Sequence, residues 1–506
     1  MNRRQHFILL TALLCMPTAR LHAQDMLMTG STLQAPFAAL VEHTAPWQPV
    51  DWQARQNPVL HGVAFHSSFS QLYATAQWQR QSTPFVLQHG RGFFMPAAGV
   101  DSYLRLTDHT AVWGHASYMN GRQHQVAWNS TSDYDLLQPY VLADTLGGDS
   151  HRERYCFEGG YATQLNQWMV GAEMLFRADH EYRDVDPRMR GIVNELTLRL
   201  AAGRLLGTYI VATAVEGNVY KQRNSVDFYR ELGVIPEYQM TGLGTEYARF
   251  SGDKRSLQYD GGGTALLVDA TPRDGNGPYA HLKIGQRRYH RLITENYTLP
   301  LTDLYTQGLQ AVVGWQRSGK AAYVSADYGK RSGDEHIIGT SATTSFPDRG
   351  VLTMYKNHRL NTSLTAVCTT GRWQAEARVG YRHSRERYVY PERKLNTAHV
   401  YAHLQATAFM QPARRLMLSA RLNAGYEACT GHELLMPFAD MTDHVARMIR
   451  HTYNFARADY ATLQPQLRAD LREKAYTYFI TVGGAYTHCS RGEHQWDAHA
   501  TIGITF

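Results

Sequence analysis

The chain has 506 residues, of which 43% are hydrophobic, 11% aromatic and only 19% charged. So many aromatic residues exclude an intrinsically disordered chain. No stretch approaches the ~20 consecutive apolar residues of a membrane-spanning helix, which excludes a helical membrane protein. Glycine (41 residues) and aromatic residues together favour a protein of many β-strands.

The charge is moderately positive. The 51 basic and 44 acidic residues give a net charge of +7, which becomes 48 − 44 = +4 without the three arginines of the N-terminal leader. Only eight basic residues are lysine, and arginine pairs rigidly with carboxylates and phosphates. The prevalence of arginine suits a charged lumen or contact with lipopolysaccharide, and it equally suits the surface loops of an arginine-rich protein. No basic run resembles a nucleic-acid-binding stripe, so we expect no nucleic-acid partner.

Residues 1–23 have the pattern of a secretory signal peptide. Two arginines precede a short apolar stretch at residues 7–16, which Pro17 ends. The Ala23/Gln24 junction is a suitable cleavage site, and the apolar stretch has about half the length that a membrane anchor needs. The pattern predicts export across the inner membrane and signal cleavage near Ala23/Gln24.

The last twelve residues alternate strictly between apolar and polar side chains. Because successive side chains of a strand point to opposite faces, one face of this segment is apolar. Its residues are Trp496, Ala498, Ala500, Ile502, Ile504 and Phe506. An aromatic final residue on the apolar face resembles the C-terminal signal of outer-membrane β-barrels. We therefore predict that Phe506 is an assembly signal and that the barrel-assembly machinery is a partner.

The same alternation recurs along most of the chain after residue 68, for example in residues 372–384, 397–410 and 415–429. Alternating segments of about ten residues, separated by turns, are typical of transmembrane barrels. A closed barrel also leaves no unpaired strand edge in lipid. The sequence predicts an all-β fold in which residues 68–506 form a transmembrane antiparallel β-barrel of about 16–20 strands, surrounded by outer-membrane lipid.

The connections between these segments alternate in length, which predicts short periplasmic turns and long extracellular loops. Short turns are expected near Asn120-Gly121, Leu165-Asn166, Ala202-Gly203, Ser318-Gly319, Gly371, Pro412-Ala413 and Arg472-Glu473. Long loops are expected at 131–151, 180–190, 220–239, 331–350 and 430–451. Between residues 220 and 300 the alternation of short and long connections is inconsistent, so the number of strands in this region stays open.

Residues 24–67 differ from the rest of the chain. Four prolines and two tryptophans interrupt any regular strand in this stretch. The segment is either an N-terminal periplasmic extension or a small plug that enters the lumen.

The chain resembles the uncharacterised outer-membrane β-barrel families of Bacteroidetes-type Gram-negative bacteria over about residues 60–506. The residues that carry the resemblance are the Ala23/Gln24 junction, Trp113-Gly114 through Asn120-Gly121, Pro139-Tyr140 to Gly147-Gly148, Asp186-Pro187-Arg188 and Phe506. The resemblance implies a barrel in the cell outer membrane. Such families have no assigned activity, so it implies no substrate.

One group of residues suggests an enzyme. Outer-membrane phospholipases carry a His-x-Ser pair on one strand and an Asn shortly after it, and His115-Ala116-Ser117 with Trp128-Asn129 is similar. Ser117 would be the nucleophile, His115 the base and Asn129 the group that orients the imidazole. A hairpin turn at Asn120-Gly121 would place Asn129 roughly 10 Å out of register. We therefore expect no enzyme and keep the lipase as an alternative.

Metal and cofactor motifs are not indicated. The five cysteines form no Cys-x-x-Cys pair, and we expect no metal or cofactor. His399 and His403 lie four positions apart on one predicted strand, which separates their side chains by roughly 13 Å, so we interpret them as polar lumen residues. Asp186 and Arg188 are candidates for ligand contact in an outer loop or for a loop salt bridge.

The lumen face carries the functional hypothesis. The predicted lumen-lining residues are Arg378, Arg382, Arg421, Glu376, Glu427, Lys283 and Arg287; further inward charges are Glu173, Arg177, His281 and Arg415. Rings of charge can set the selectivity of a pore, and opposed Arg and Glu can equally pair across a closed lumen. We predict a passive or substrate-specific channel for polar or anionic solutes. The alternative is a structural or adhesive barrel whose extracellular loops bind partners.

Overall fold

The computed structural model describes residues 35–44, 56–229, 237–250, 255–294, 298–339, 348–370, 372–437, 439–440 and 443–506. The chain divides into two compact units, Met1–Ala38 and Ala39–Phe506. Residues 35–38 are the described part of the first unit and begin a helix. The second unit contains the barrel. The predicted signal peptide lies outside the described residues.

Eighteen strands form one closed antiparallel sheet. The sheet closes because the first strand pairs with both the second and the last. These strands are β1 Phe69–Gln81, β2 Gly92–Thr107, β3 Thr110–Val126, β5 Gly148–Leu165, β6 Trp168–Tyr182, β7 Arg188–Leu206, β8 Tyr209–Asp227, β11 Arg255–Pro272, β12 Gly277–Ile293, β13 Leu299–Arg317, β14 Lys320–Ile338, β15 Asp348–Thr369, β16 Trp373–Tyr388, β17 Arg393–Ala413, β18 Leu416–Leu435, β19 Tyr460–Glu473, β20 Tyr476–Cys489 and β21 His494–Thr505.

The remaining elements are short. A separate three-stranded sheet consists of β4 Leu142–Ala143, β9 Tyr238–Gly242 and β10 Thr245–Glu246. The helices are α1 Ala35–Thr44, α2 Pro58–His61, α3 Tyr134–Leu137 and α4 His444–Ala456. Within the described ranges, no helix is both long and apolar enough to cross a membrane.

The predicted transmembrane barrel is confirmed, with a strand number inside the predicted range. Its outer surface is apolar because the outward residues of each alternating strand are hydrophobic: Leu200, Leu467 and Ile502 are 67%, 65% and 59% exposed. Contact of such a surface with water is unfavourable, and contact with lipid removes this cost. Exposed aromatic residues gather near the strand ends, as in the girdles of membrane barrels; they include Trp168, Trp315, Trp373, Tyr476 and Phe506.

Connections alternate strictly around the barrel. At one end, the short-turn end, they have two to four residues; at the other, the loop end, they have four to 27. β1 begins and β21 ends at the short-turn end. The alternation holds through residues 220–300, where the sequence pattern conflicted. There the chain leaves β8, forms β9 and β10 outside the barrel sheet, and returns as β11 and β12.

Several predicted turns are wrong in detail. Asn120-Gly121 lies inside β3, where Gly121 pairs with Arg152 of β5. The turns predicted at Ala202-Gly203, Pro412-Ala413 and Arg472-Glu473 lie at 207–208, 414–415 and 474–475 instead. These strands continue beyond the predicted turns because hydrogen bonds to both neighbouring strands satisfy the backbone, whatever the local turn propensity.

A glycine triplet lies at 261–263 of β11, and glycine inside a strand often marks a kink or bulge. The register of β11 with β8 and β12 runs through it without a shift. The glycines instead allow side chains of the neighbouring strand β12 to lie close to the backbone of β11. A Cβ at Gly261 would lie 2.4 Å from the Tyr289 ring, and one at Gly263 would lie 2.5 Å from the Arg287 side chain. Side chains larger than glycine would therefore displace lumen residues of β12.

The barrel interior is filled in two places. Near the short-turn end, Val59 and Leu60 of α2 pack against Met169, Ala201 and Leu267 of the wall. At the loop end, residues 127–147, residues 237–250 and α4 form a loop cap. Its apolar side chains pack with inward residues of the wall; examples are Tyr140, Leu142, Met240 and Ile449 with Tyr220, Tyr259, Leu301 and Tyr388.

Candidate functional site

The lumen face is set by strand alternation. On β16, Trp373 and Val379 are exposed on the outer surface, while Gln374, Glu376 and Arg378 share the opposite face. Charged groups facing lipid at the membrane centre would cost roughly 2–4 kcal/mol each for Arg or Lys. The inward face therefore carries the charges of this wall.

Three predicted arginines lie on β16 and β18. Arg378 Nη2 donates to Glu376 Oε1 at 2.8 Å, and Arg382 forms an ion pair with Glu427. Arg421 Nε donates to Thr407 Oγ1 at 3.3 Å. Four of the five charged residues predicted on these strands are thus engaged in two ion pairs along one wall.

The predicted Lys283 and Arg287 lie on β12 and contact acidic residues of β7 and β8. Lys283 Nζ lies 3.2 Å from Glu216 Oε2, and Arg287 Nη1 lies 3.4 Å from Glu195 Oε1. Arg199 of β7 bridges Glu216 and Glu173 with contacts of 2.9 and 2.5 Å. The structure therefore brings Lys283 and Arg287 into a continuous network of charges.

A cavity of about 370 Å³ lies in the lumen beside this network. Its wall contains four basic residues, Lys283, Arg287, Arg331 and Arg359, and two acidic ones, Glu216 and Asp327. Four cations against two anions give the cavity a positive balance. Charges that line a low-dielectric recess act strongly on any group that enters it.

A second network, which the sequence did not reveal, ties the loop cap to the wall. Asp133 of the loop cap accepts two hydrogen bonds from Arg177, at 2.7 and 2.9 Å. Asp179, whose side chain is 1% exposed, contacts Arg152, Arg154 and Arg177 within 3.0 Å. Only Arg177 was predicted to point inward, and nothing in the sequence indicates that Asp133 folds back over it.

Buried charges also join the loop cap to the connection of β6 and β7. Arg183 and Asp144 form an ion pair of 2.7 Å with side chains 1% and 0% exposed. Ser130 Oγ donates to Asp144 Oδ2 at 2.7 Å. Burial, followed by the nearby charge of Asp144, raises the pKa of Glu237 to about 8. These partners hold the connections of β3, β6 and β8 together above the lumen.

The enzyme hypothesis named the wrong orienting residue. Asn129 lies in the loop cap, where its side chain accepts a hydrogen bond from Thr131 N. Asp101, the cross-strand neighbour of His115, takes that place instead: its Oδ1 lies 2.5 Å from His115 Nδ1, and His115 Nε2 lies 2.9 Å from Ser117 Oγ.

The backbone beside this Asp-His-Ser arrangement belongs to the barrel sheet. Acyl transfer needs hydrogen-bond donors aimed at the developing oxyanion. The backbone around Ser117 is instead engaged in the ladders of β3 with β2 and β5. The three side chains fit a polar network of the lumen wall.

The remaining predicted residues have local contacts. Asp186 and Arg188 form an ion pair of 3.2 Å, and Arg188 stacks over Tyr229 at 4.2 Å. Arg415, predicted inward, lies in the turn between β17 and β18 and contacts Glu473 at 3.4 Å. Asp186 and Arg188 thus join the connection of β6 and β7 to the end of β8.

Phe506 lies at the short-turn end, 63% exposed, and its N–H donates to Ser70 O at 3.0 Å. β21 precedes it and pairs with both β20 and β1. The final residue therefore stands at the seam where the barrel closes.

Residues 58–506 match the model of a family of unknown function, DUF6850. The chain belongs to this family. The match spans the whole barrel and begins in α2, close to the start of the resemblance expected from the sequence. No curated protein matches the chain.

Solved structures with a similar fold include outer-membrane receptors. The ferric preacinetobactin receptor BauA of Acinetobacter baumannii has 9% identity and a TM-score of 0.42, with 87% of this chain and 80% of that chain covered. The siderophore receptor PiuA of the same organism has 7% identity and a TM-score of 0.41, with coverages of 88% and 82%. The ferric citrate transporter FecA has 10% identity and a TM-score of 0.41, with coverages of 87% and 78%.

Proposed function

We propose that this protein is an outer-membrane barrel for the uptake of polar or anionic solutes through a lumen that is closed at rest. One observation carries the proposal: the lumen cavity of about 370 Å³ with four basic and two acidic residues. Barrels of this size enclose space for solutes unless segments fill it. The loop cap and α2 lie inside the barrel, which favours a gated, substrate-specific path over a permanently open pore.

We propose further that Arg378, Arg382 and Arg421 line the solute path, with Lys283 and Arg287 at the cavity. The guanidinium group matches carboxylate and phosphate geometry, so these residues fit anionic solutes. The segment that contains α2 acts as a small plug in this proposal, because α2 packs inside the wall. Short turns face the periplasm and the loop cap faces outward, as is usual for such barrels.

Planar-bilayer conductance tests this function. The full mature chain should show rare, anion-preferring openings, and deletion of residues 24–67 should increase their frequency. Arg378→Ala and Arg421→Ala should weaken the anion preference, whereas Arg415→Ala, in a turn, is the matched control. Absence of conductance with residues 24–67 either present or deleted would contradict uptake and favour the structural or adhesive barrel.

We propose that the barrel-assembly machinery recognises Phe506 and that lipid and lipopolysaccharide surround the folded barrel. The exposed aromatic ring at the closing seam supports this proposal. Deletion of Phe506 should lower the amount of protein in the outer membrane and induce envelope stress, measured by membrane fractionation and a stress reporter. Ser490→Ala, in a loop-end turn, is the control. Unchanged levels after the deletion would refute the recognition.

A further inference from the structure

Three potential metal ligands meet where α2 touches the barrel wall. His61 ends α2, Glu158 lies on β5 and Glu173 lies on β6. One ligand atom from each of the three side chains lies within 4.8 Å of the other two. One nitrogen and two carboxylate donors form a set that Zn²⁺ and related divalent transition metals accept.

The histidine points to a missing partner. The His61 side chain is only 9% exposed, and within the described part of the chain its Nδ1 has no hydrogen-bond partner, although it lies 3.8 Å from Glu173 Oε1. A buried polar atom without a partner carries an energetic cost. A cation between Nδ1 and the carboxylate would remove this cost.

The closeness of the two carboxylates also favours a bound cation. Two carboxylates within 4.8 Å repel each other unless a proton or a cation lies between them. Arg199 contacts Glu173 Oε2, but it also bridges to Glu216. The positive charge that neutralises Glu173 is therefore shared with a second acidic residue.

The surroundings hold the ligands in place. Trp113 Nε1 donates to Glu173 Oε1 at 2.9 Å, and its indole lies 4.3 Å from the His61 ring. Gly160 makes room for this indole, because a Cβ there would lie 2.1 Å from it. Tyr103 Oη donates to the backbone oxygens of His61 and Gly62. Such outer partners orient metal ligands in known sites.

We propose that His61, Glu158 and Glu173 bind one divalent transition-metal cation of the Zn²⁺ class, which fastens α2 to the wall of the lumen. At the opposite end of α2, Asn57 Nδ2 donates to Asp269 Oδ2 at 2.7 Å. The cation thus attaches the C-terminal end of α2 to β5 and β6, in addition to the Tyr103 hydrogen bonds and the apolar packing of Val59 and Leu60, and its release loosens this end.

The test uses the full mature chain, folded in detergent, treated with EDTA and titrated with Zn²⁺ by calorimetry and with Co²⁺ by absorption. Wild type should bind one ion per chain. His61→Asn and Glu158→Gln should each weaken binding at least by the roughly 10–100-fold that loss of an outer-shell partner costs. His399→Asn is the matched control, because His399 Nδ1 also lies near one glutamate, Glu427, at 3.9 Å.

Two further measurements make the test decisive. Heat-modifiable migration on gels verifies that each variant folds. Hydrogen exchange of residues 57–66 should slow on Zn²⁺ addition in wild type and in His399→Asn, and not in Glu158→Gln. Equal Zn²⁺ affinity in wild type, His61→Asn and Glu158→Gln, or exchange that does not respond to the metal, would overturn the proposal.

Discussion

The two charged walls of the lumen differ in burial. On β6, the side chains of Glu173 and Asp179 are 0% and 1% exposed, and each is held by arginine. On β16, Arg378 and Arg382 are 40% and 51% exposed, although each also has a carboxylate partner. The inward alternation is the same on both walls. The segments that cover a charged residue therefore decide whether its side chain is buried or remains accessible.

The physical reason for this difference is that the dielectric constant is lower inside the protein than in water. Charges removed from water must be paired closely, because an unpaired buried charge costs several kcal/mol. Exposed pairs contribute about 0–1 kcal/mol and exchange partners readily. The wall at β5–β8 lies under the loop cap and α2, so its charges are buried in close pairs. The wall at β16–β18 retains charged side chains that are partly exposed.

The largest effect is expected at Asp179. Asp179→Ala leaves Arg152, Arg154 and Arg177 without their shared carboxylate and should lower the free energy of unfolding by about 3–5 kcal/mol. Denaturant unfolding in detergent measures it. Glu376→Ala on β16 is the control and should cost less than about 1 kcal/mol. Similar losses in both variants would break the distinction between the two walls.

A smaller, pH-dependent effect is expected in the loop cap. Burial raises the pKa of Glu237 from 4.5 to about 8. Between these values the folded state binds more protons than the unfolded state, so stability falls as pH rises from about 4.5 to about 8. The protection factors of residues 237–246 against hydrogen exchange, which are corrected for the intrinsic pH dependence of amide exchange, should therefore be lower at pH 8 than at pH 6.

Glu237→Gln should flatten this dependence, because the amide stays neutral throughout the range. The other charged groups nearby are Asp144 and Arg183, which form an ion pair. Glu433→Gln, at an exposed site on β18, is the control and should keep the dependence of the wild type. An unchanged pH dependence in Glu237→Gln would assign it to another group.

The β16 wall should show a change in selectivity without a loss of stability. Arg382→Ala removes one half-exposed ion pair and should lower the free energy of unfolding by less than about 1 kcal/mol. It should also reduce the anion preference of the conductance. Arg199→Ala, on the buried wall, should have the opposite effect. It should greatly lower the free energy of unfolding, while the barrels that remain folded keep their anion preference.

The smallest effect is expected at the Asp-His-Ser arrangement. Ser117→Ala should leave phospholipid composition and acyl hydrolysis unchanged, since donors for an oxyanion are engaged in the strand ladders. Labelling with a fluorophosphonate, with Ser325→Ala as a control at another lumen serine, checks this. Calcium-dependent hydrolysis that Ser117→Ala abolishes would make this protein a lipase.

The register of β2 and β3 shows where predictions from sequence patterns lose precision. Asp101 faces His115 because the register of β2 and β3 shifts between Arg105 and Thr107. An unshifted hairpin with a turn at 108–109 would place Ser102 opposite His115 instead. A bulge of one residue depends on the twist of the closed barrel, so local sequence does not reveal it.

Alternation alone determined the barrel and which face of each strand lies inward, because strand geometry places successive side chains on opposite faces. It predicted about 16–20 strands, which the 18-stranded sheet confirms, and it predicted Lys283, Arg287 and Arg378 as lumen-lining residues. The tertiary structure decided how those positions are used. Asp133 over Arg177 and His61 near Glu158 and Glu173 are contacts between segments distant in sequence, and Asp101 beside His115 depends on a register shift between neighbouring strands. Such contacts arise from closure of the barrel and from the inward folding of the loop cap and α2, and no local propensity encodes them.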